Sequence, residues 1–224
     1  MQNLHLNEAV SIAQQVMNPD RTIGIELECY VPNKRAFADL MTNAGLSVRI
    51  EGWSQGRTPN ADWIITTDGS LSHKSCYDAV EIKSAVMKSP QLVRDLHTLC
   101  NLFTQVNAKV NKSCGFHIHH SQDDFKQKHL CYLANHYVKN EVALDMMLPQ
   151  SRRENNAYYC GSVRHRLESL IRGNSGQVND TSNLSPNRRG QNGALQVDRD
   201  WASRNIIANS RTLKVNFKSM LRGF

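Results

Sequence analysis

Between Thr22 and Val31 the chain carries the feature that most limits how it can fold. Ile23, Ile25, Leu27 and Cys29 alternate with Gly24, Glu26, Glu28 and Tyr30, the period of two that sends successive side chains to opposite faces of a strand. One face is apolar and needs a core against it. The other carries two carboxylates, about 6.6–7 Å apart at ordinary strand rise. A sheet with one covered face and one acidic face is the expectation.

The remaining segments supply partners for that strand. Ala9, Ile12, Ala13 and Val16 are at helical spacing from Leu6 to Met17, and Asn18-Pro19-Asp20 stops them. Lys34–Ala44 reads as a short helix closed by Gly45, and Leu46–Glu51 as a strand. Trp63–Thr67 and Ala79–Ala85 are further strands, with a turn at Asp68-Gly69-Ser70. Ser89-Pro90 predicts a helix start with a capping hydroxyl, and Leu92, Leu96, Leu99, Phe103 and Val106 carry that helix for about four to five turns. Val110–His120 returns to strand, and Ser121 is expected to cap a long helix running to about Met147. A polar stretch at 174–193 reads as a flexible loop, and Arg211–Phe217 as a last strand. Strands without a regular βαβ rhythm favour one α+β domain over residues 1–224, with a mostly antiparallel sheet and helices on one face.

Composition narrows the partners. The 27 Lys and Arg against 20 Asp and Glu give a formal charge of +7, which permits an anionic ligand. No run of five like charges appears, which argues against a tail for nucleic acid. The six cysteines form no CxxC pair, the pattern of reduced thiols in a cytoplasmic protein. MQNLHLNEAV has no basic region followed by an apolar run, and no apolar stretch approaches the roughly 20 residues that span a bilayer.

Three strand patterns carry chemistry. Glu26 and Glu28 share a face and suit a divalent cation; a solvated outer face is the plainer reading. His117 and His119, in Cys114-Gly-Phe-His-Ile-His-His120, also share a face and suit metal or phosphate, while His120 lies with Phe116 and Ile118. Glu81 and Lys83 alternate with Val80 and Ile82, which alone reads as a surface charge pair. Asp68 before Gly69 is a turn residue by default. Arg152 and Arg153 suit phosphate or carboxylate through forked hydrogen bonds, or simply the negative end of a helix. Taken as residues, this set is compatible with a ligase, a metal-dependent hydrolase or nuclease, or a non-catalytic anion-binding module.

In order, GIELE (24–28), WIITTDGSL (63–71), VEIKSAVM (80–87), CGFHIHHS (114–121) and PQSRRENNAYYC (149–160) resemble the amidoligase family, distant relatives of glutamine synthetase and glutamate–cysteine ligase. The resemblance implies their curved-sheet catalytic fold. It also implies an ATP-dependent ligase joining a small-molecule or peptide carboxylate to an amine through an acyl phosphate, with Mg²⁺ or Mn²⁺ ions. It assigns metal to Glu26, Glu28, Glu81 and His117, the nucleotide's neighbourhood to His119 and Lys83, and catalytic contacts to Arg152, Arg153 and Asp68. Two departures stand out. Ala85 follows Ser84 where the family usually has proline. Arg211–Phe224 resembles only the lead-in to the family's closing TxEFR-like strand, so the expectation is a site short of one carboxylate and one arginine.

Overall fold

The computed structural model describes residues 2–16, 20–52, 62–72, 74–121, 125, 127–153, 160–165 and 213–215. Contacts divide the chain into two compact units, Met1–Ser121 and Gln122–Phe224. The polar stretch at 174–193 lies outside the described residues.

The first unit is an α+β layer. Helix α1 covers Gln2–Val16, and strand β1 covers Thr22–Val31, the range its alternation predicts. Helix α2 (Lys34–Asn43) begins where the Asn33 side chain accepts a hydrogen bond from Ala36 N at 2.9 Å. It ends in a Schellman motif: Gly45, at φ +89°, donates to Thr42 O, and Leu46 N donates to Met41 O. Three strands follow, β2 (Val48–Ile50), β3 (Trp63–Thr66) and β4 (Asp78–Lys83). The two-residue β5 (Met87–Lys88) leads directly into helix α3 (Ser89–Gln105), and β6 (Phe116–His120) closes the unit.

The sheet is mixed. β2 and β3 are parallel, whereas β3–β4, β4–β1, β1–β5 and β1–β6 are antiparallel. β4 and β5 follow one another along the same edge of β1. In the gap between them the Ser84 hydroxyl accepts from Ile25 N at 2.9 Å, and Ser84 N donates to Ile25 O. A side chain thus completes the ladder where the chain bends away.

Burial follows the alternation at the start of β1, while Tyr30, on its polar side, is buried as well. Ile25, Val31, Ile65, Val80 and Ile82 face a core that includes Phe37 and Met41 of α2 and Leu92, Leu99 and Leu102 of α3. Each such side chain contributes about 1.5–3 kcal/mol by leaving water. Phe37 stacks on Phe103 with ring centroids 5.4 Å apart. The one buried acid among these contacts, Asp95 of α3, is satisfied by Trp63 Nε1 and Gln91 Nε2. The apolar side of β6 is covered less: Phe116 and Ile118 are 54% and 53% exposed.

Several expected boundaries change. Ser89 does not cap α3. Pairing of Met87 and Lys88 with β1 keeps the chain extended through Lys88, so Lys88 takes the cap position and Ser89 becomes helical. Its hydroxyl is buried with no partner among the described residues. The strand predicted from Val110 begins only at Phe116, because Asn111 Oδ1 accepts from Ser113 N and Ser113 Oγ and fixes a turn there. Ser121 caps no helix either: its Oγ accepts from Thr22 N and its own N donates to Thr22 O, extending the β6 pairing.

In the second unit helix α4 runs from Gln127 to Asp145, and Gln150–Arg152 forms a 3₁₀ turn. Of the last predicted strand, residues 213–215 are described, and they form a single parallel bridge from Leu213 to Gly161. Val163 and Leu213 pack with Tyr137, Val138 and Val215. Beneath them Lys214 Nζ, its side chain 2% exposed, lies 2.6 Å from Asp145 Oδ1 and 3.4 Å from Glu141 Oε1. Glu141 also accepts from Ser162 Oγ, Val163 N and Arg164 N.

Candidate metal centre on the acidic face of the sheet

Register, more than sequence proximity, builds this site. Residues directly opposite one another in antiparallel strands point the same way. Glu26 is opposite Lys83 of β4 on one side and His117 of β6 on the other. Glu28 is opposite Glu81, and Glu81 is opposite Thr66 of β3. His119 faces Gly24. The polar face of β1 therefore gathers side chains from four strands.

Within that face the residues form two groups. Glu28, Asp68 and Glu81 each offer an oxygen within 4.8 Å of the other two. Asp68 is positioned by its turn, where its carboxylate accepts from Ser70 N at 2.6 Å, so the turn role and the cluster role coincide. Gly115 N donates to Glu28 Oε2. A Cβ on Gly115 would lie 3.2 Å from that oxygen and 3.1 Å from His117 Nε2, so glycine is what lets the β6 lead-in approach this closely.

The second group centres on Glu26. Its Oε2 is 3.1 Å from His117 Nδ1 and 3.4 Å from His119 Nε2, and its Oε1 is 3.8 Å from Lys83 Nζ. Lys83 in turn lies 2.9 Å from Glu81 Oε2. It bridges the two groups.

The electrostatics differ across these few ångströms. Hydrogen bonds from His117 and His119 hold the Glu26 carboxyl well below the usual carboxylate range, against the opposing effect of burial. The same bond with Glu26 raises His117. Glu81 goes the other way: burial raises it, and Lys83 only partly offsets that. For Lys83, burial lowers the pKa, but the hydrogen bond and charge of Glu81 and the charge of Glu26 outweigh it, so the net shift is upward. Glu81 and Lys83 are thus the expected charge pair, but Glu81 is buried rather than on the surface, and the lysine offsets its burial only in part.

Thr66 adds an independent sign. It is 4% exposed, shares the face of Glu81, and its Oγ1 has no hydrogen-bond partner among the described residues. A buried hydroxyl left unpaired costs about 1–3 kcal/mol. A hard cation or its water is the kind of partner that oxygen lacks. The donor set of three carboxylates is all oxygen, which fits Mg²⁺ or Mn²⁺.

Seven of the nine residues expected from sequence thus share the first unit's polar face: Glu26, Glu28, Asp68, Glu81, Lys83, His117 and His119. Arg152 and Arg153 belong to the second unit. There Arg153 Nε donates to Leu148 O at 2.8 Å and Nη2 to Met146 O, just past the C-terminus of α4, the helix-end role that was its plainer reading. Thr66 and Gly115 escaped the sequence reading, since nothing in a lone threonine or glycine signals which strand will pair beside it.

Among the described residues no helix is long and apolar enough to cross a membrane. Neither the curated proteins nor the solved structures contain a match to this chain. The profile of the family described as "Putative amidoligase enzyme" matches residues 19–223, nearly the whole length and through both units; the chain belongs to the amidoligase family.

Proposed function

We propose that the protein is an ATP-dependent ligase that joins a carboxylate to an amine, with a divalent cation held on the acidic sheet face. The observation that carries this reading is the oxygen cluster of Glu28, Asp68 and Glu81 in a chain of this family. We read the two units as one glutamine-synthetase-like catalytic domain, because a single family match runs through both.

An attacking carboxylate and the γ-phosphate of ATP are both anionic, and the reaction stalls unless their repulsion is screened. Bound Mg²⁺ or Mn²⁺ supplies that screening and stabilises charge on the transferring phosphoryl oxygens. The chain's own part is to orient and hold. Glu28, Asp68 and Glu81 fix the ion; beside it Glu26, paired with His117, adds negative charge to the same face. His119 and Lys83 present nitrogen donors at the same face, suited to phosphate oxygens. Arg152 is the proposed contact to phosphate or substrate carboxylate; Arg153, expected beside it, serves the end of α4 instead. The carboxylate would take the γ-phosphoryl group with loss of ADP, and an amine would then displace phosphate from the acyl phosphate before water reaches it.

The test is ATP binding by calorimetry, with and without Mg²⁺. The reading expects cation-dependent binding that falls at least tenfold in Glu81→Gln. Absence of ATP binding in the wild type, or cleavage of a phosphodiester or amide without nucleotide, would replace the ligase with another metal-dependent chemistry.

A further inference from the structure

We propose that Lys83 is a built-in cation: its ammonium fills the position between Glu26 and Glu81, so this chain holds one divalent ion, at Glu28, Asp68 and Glu81, and refuses a second. The inference rests on the cation site proposed above and specifies how many ions it takes.

Three features of the geometry point there. Lys83 is opposite Glu26 in the β1–β4 register and two residues from Glu81 on its own strand, so both carboxylates share its face. Its Nζ is 2.9 Å from Glu81 Oε2 and 3.8 Å from Glu26 Oε1. The other oxygen of Glu26 faces His117 Nδ1 and His119 Nε2. Both oxygens of Glu26 thus face nitrogens, the histidines at 3.1 and 3.4 Å and the ammonium at 3.8 Å, so an ion at Glu26 would compete with them.

A divalent ion bound by Glu26 and Glu81 would lie within a few ångströms of the ammonium. Like charges that close, with the lysine side chain only 25% exposed, repel with little screening. Either the ammonium leaves or the ion does not enter. The other side of Glu81 differs. Among the described residues neither Glu28 nor Asp68 pairs with a lysine or arginine, and the unpartnered Thr66 hydroxyl lies on that face, opposite Glu81. A cation is wanted there and already supplied next to it. A lysine in this role brings its positive charge permanently, whatever the metal concentration.

Mn²⁺ titrated into the full chain, with free ion followed by electron paramagnetic resonance, tests this. The wild type is expected to saturate at one ion per chain. Lys83→Met, which keeps the stem and removes the charge, should take up a second ion, and Lys83→Arg should stay at one. Two ions on the wild type overturn the proposal, as does a Lys83→Met chain that matches the wild type in stoichiometry and within twofold in affinity. If Lys83→Met does not fold, Lys83→Gln and the wild-type stoichiometry decide. No Mn²⁺ on any chain removes the cation site itself, whereas two on the wild type leave that site standing and remove only the role of Lys83.

Discussion

Two lysines in this chain each hold a pair of carboxylates, and they do so in opposite ways. Lys214 sits between Asp145 and Glu141 in the second unit, with its side chain almost wholly buried. There Glu141 receives three further donors, from Ser162 Oγ, Val163 N and Arg164 N. Lys83 sits between Glu81 and Glu26 on the first unit's sheet, but Glu28 and Asp68 crowd the same face with no second ammonium among the described residues. The Thr66 hydroxyl, on the strand residue opposite Glu81, has no hydrogen-bond partner among the described residues. The first arrangement is closed: each carboxylate oxygen of Asp145 and Glu141 has a donor, and the result ties the segment around Lys214 to α4. The second is open, with surplus negative charge and an unused hydroxyl. Matching marks an ion pair that holds structure together; surplus marks one that awaits a ligand.

The comparison breaks most visibly at Lys214. Lys214→Met leaves two buried carboxylates without their ammonium, and such losses cost about 3–5 kcal/mol. Urea denaturation should show that loss, with or without divalent cation. A change under about 1 kcal/mol would mean that the second unit's pair is not the structural lock described here.

Thr66 sharpens the other side with a smaller effect. Thr66→Val replaces an unpaired buried hydroxyl with a methyl of the same shape, so metal-free stability should hold or rise by up to about 1 kcal/mol. Mn²⁺ affinity should fall a few-fold in the same variant. Lower stability with unchanged affinity would show that the hydroxyl has a structural partner and no part in the site.

Much of the first unit was legible in sequence because its signals are local. The alternation over Thr22–Val31 sets the strand and its two faces, and Gly45 ends α2 through a conformation few other residues adopt. What failed was decided by pairing. Ser89 and Ser121 carry the chemistry of helix caps, yet strand pairing at Lys88 and Thr22 claimed the backbone around them. The parallel β2–β3 pair likewise leaves no local trace. The site followed the same rule. Glu26, Glu28, His117 and His119 announce themselves two by two along their strands. The division into an oxygen cluster and a histidine-bound glutamate depends on which strand lies next to which, and only the register reveals it.

The central claim is that a divalent cation is held by Glu28, Asp68 and Glu81, and not by the equally acidic pair in the second unit. Anomalous diffraction from crystals of the full chain grown with Mn²⁺ tests it directly. The account predicts a peak within about 2.0–2.6 Å of oxygens from those three residues, and none at Asp145 and Glu141. A peak at Asp145 and Glu141, or none on the sheet face at saturating Mn²⁺, would contradict it.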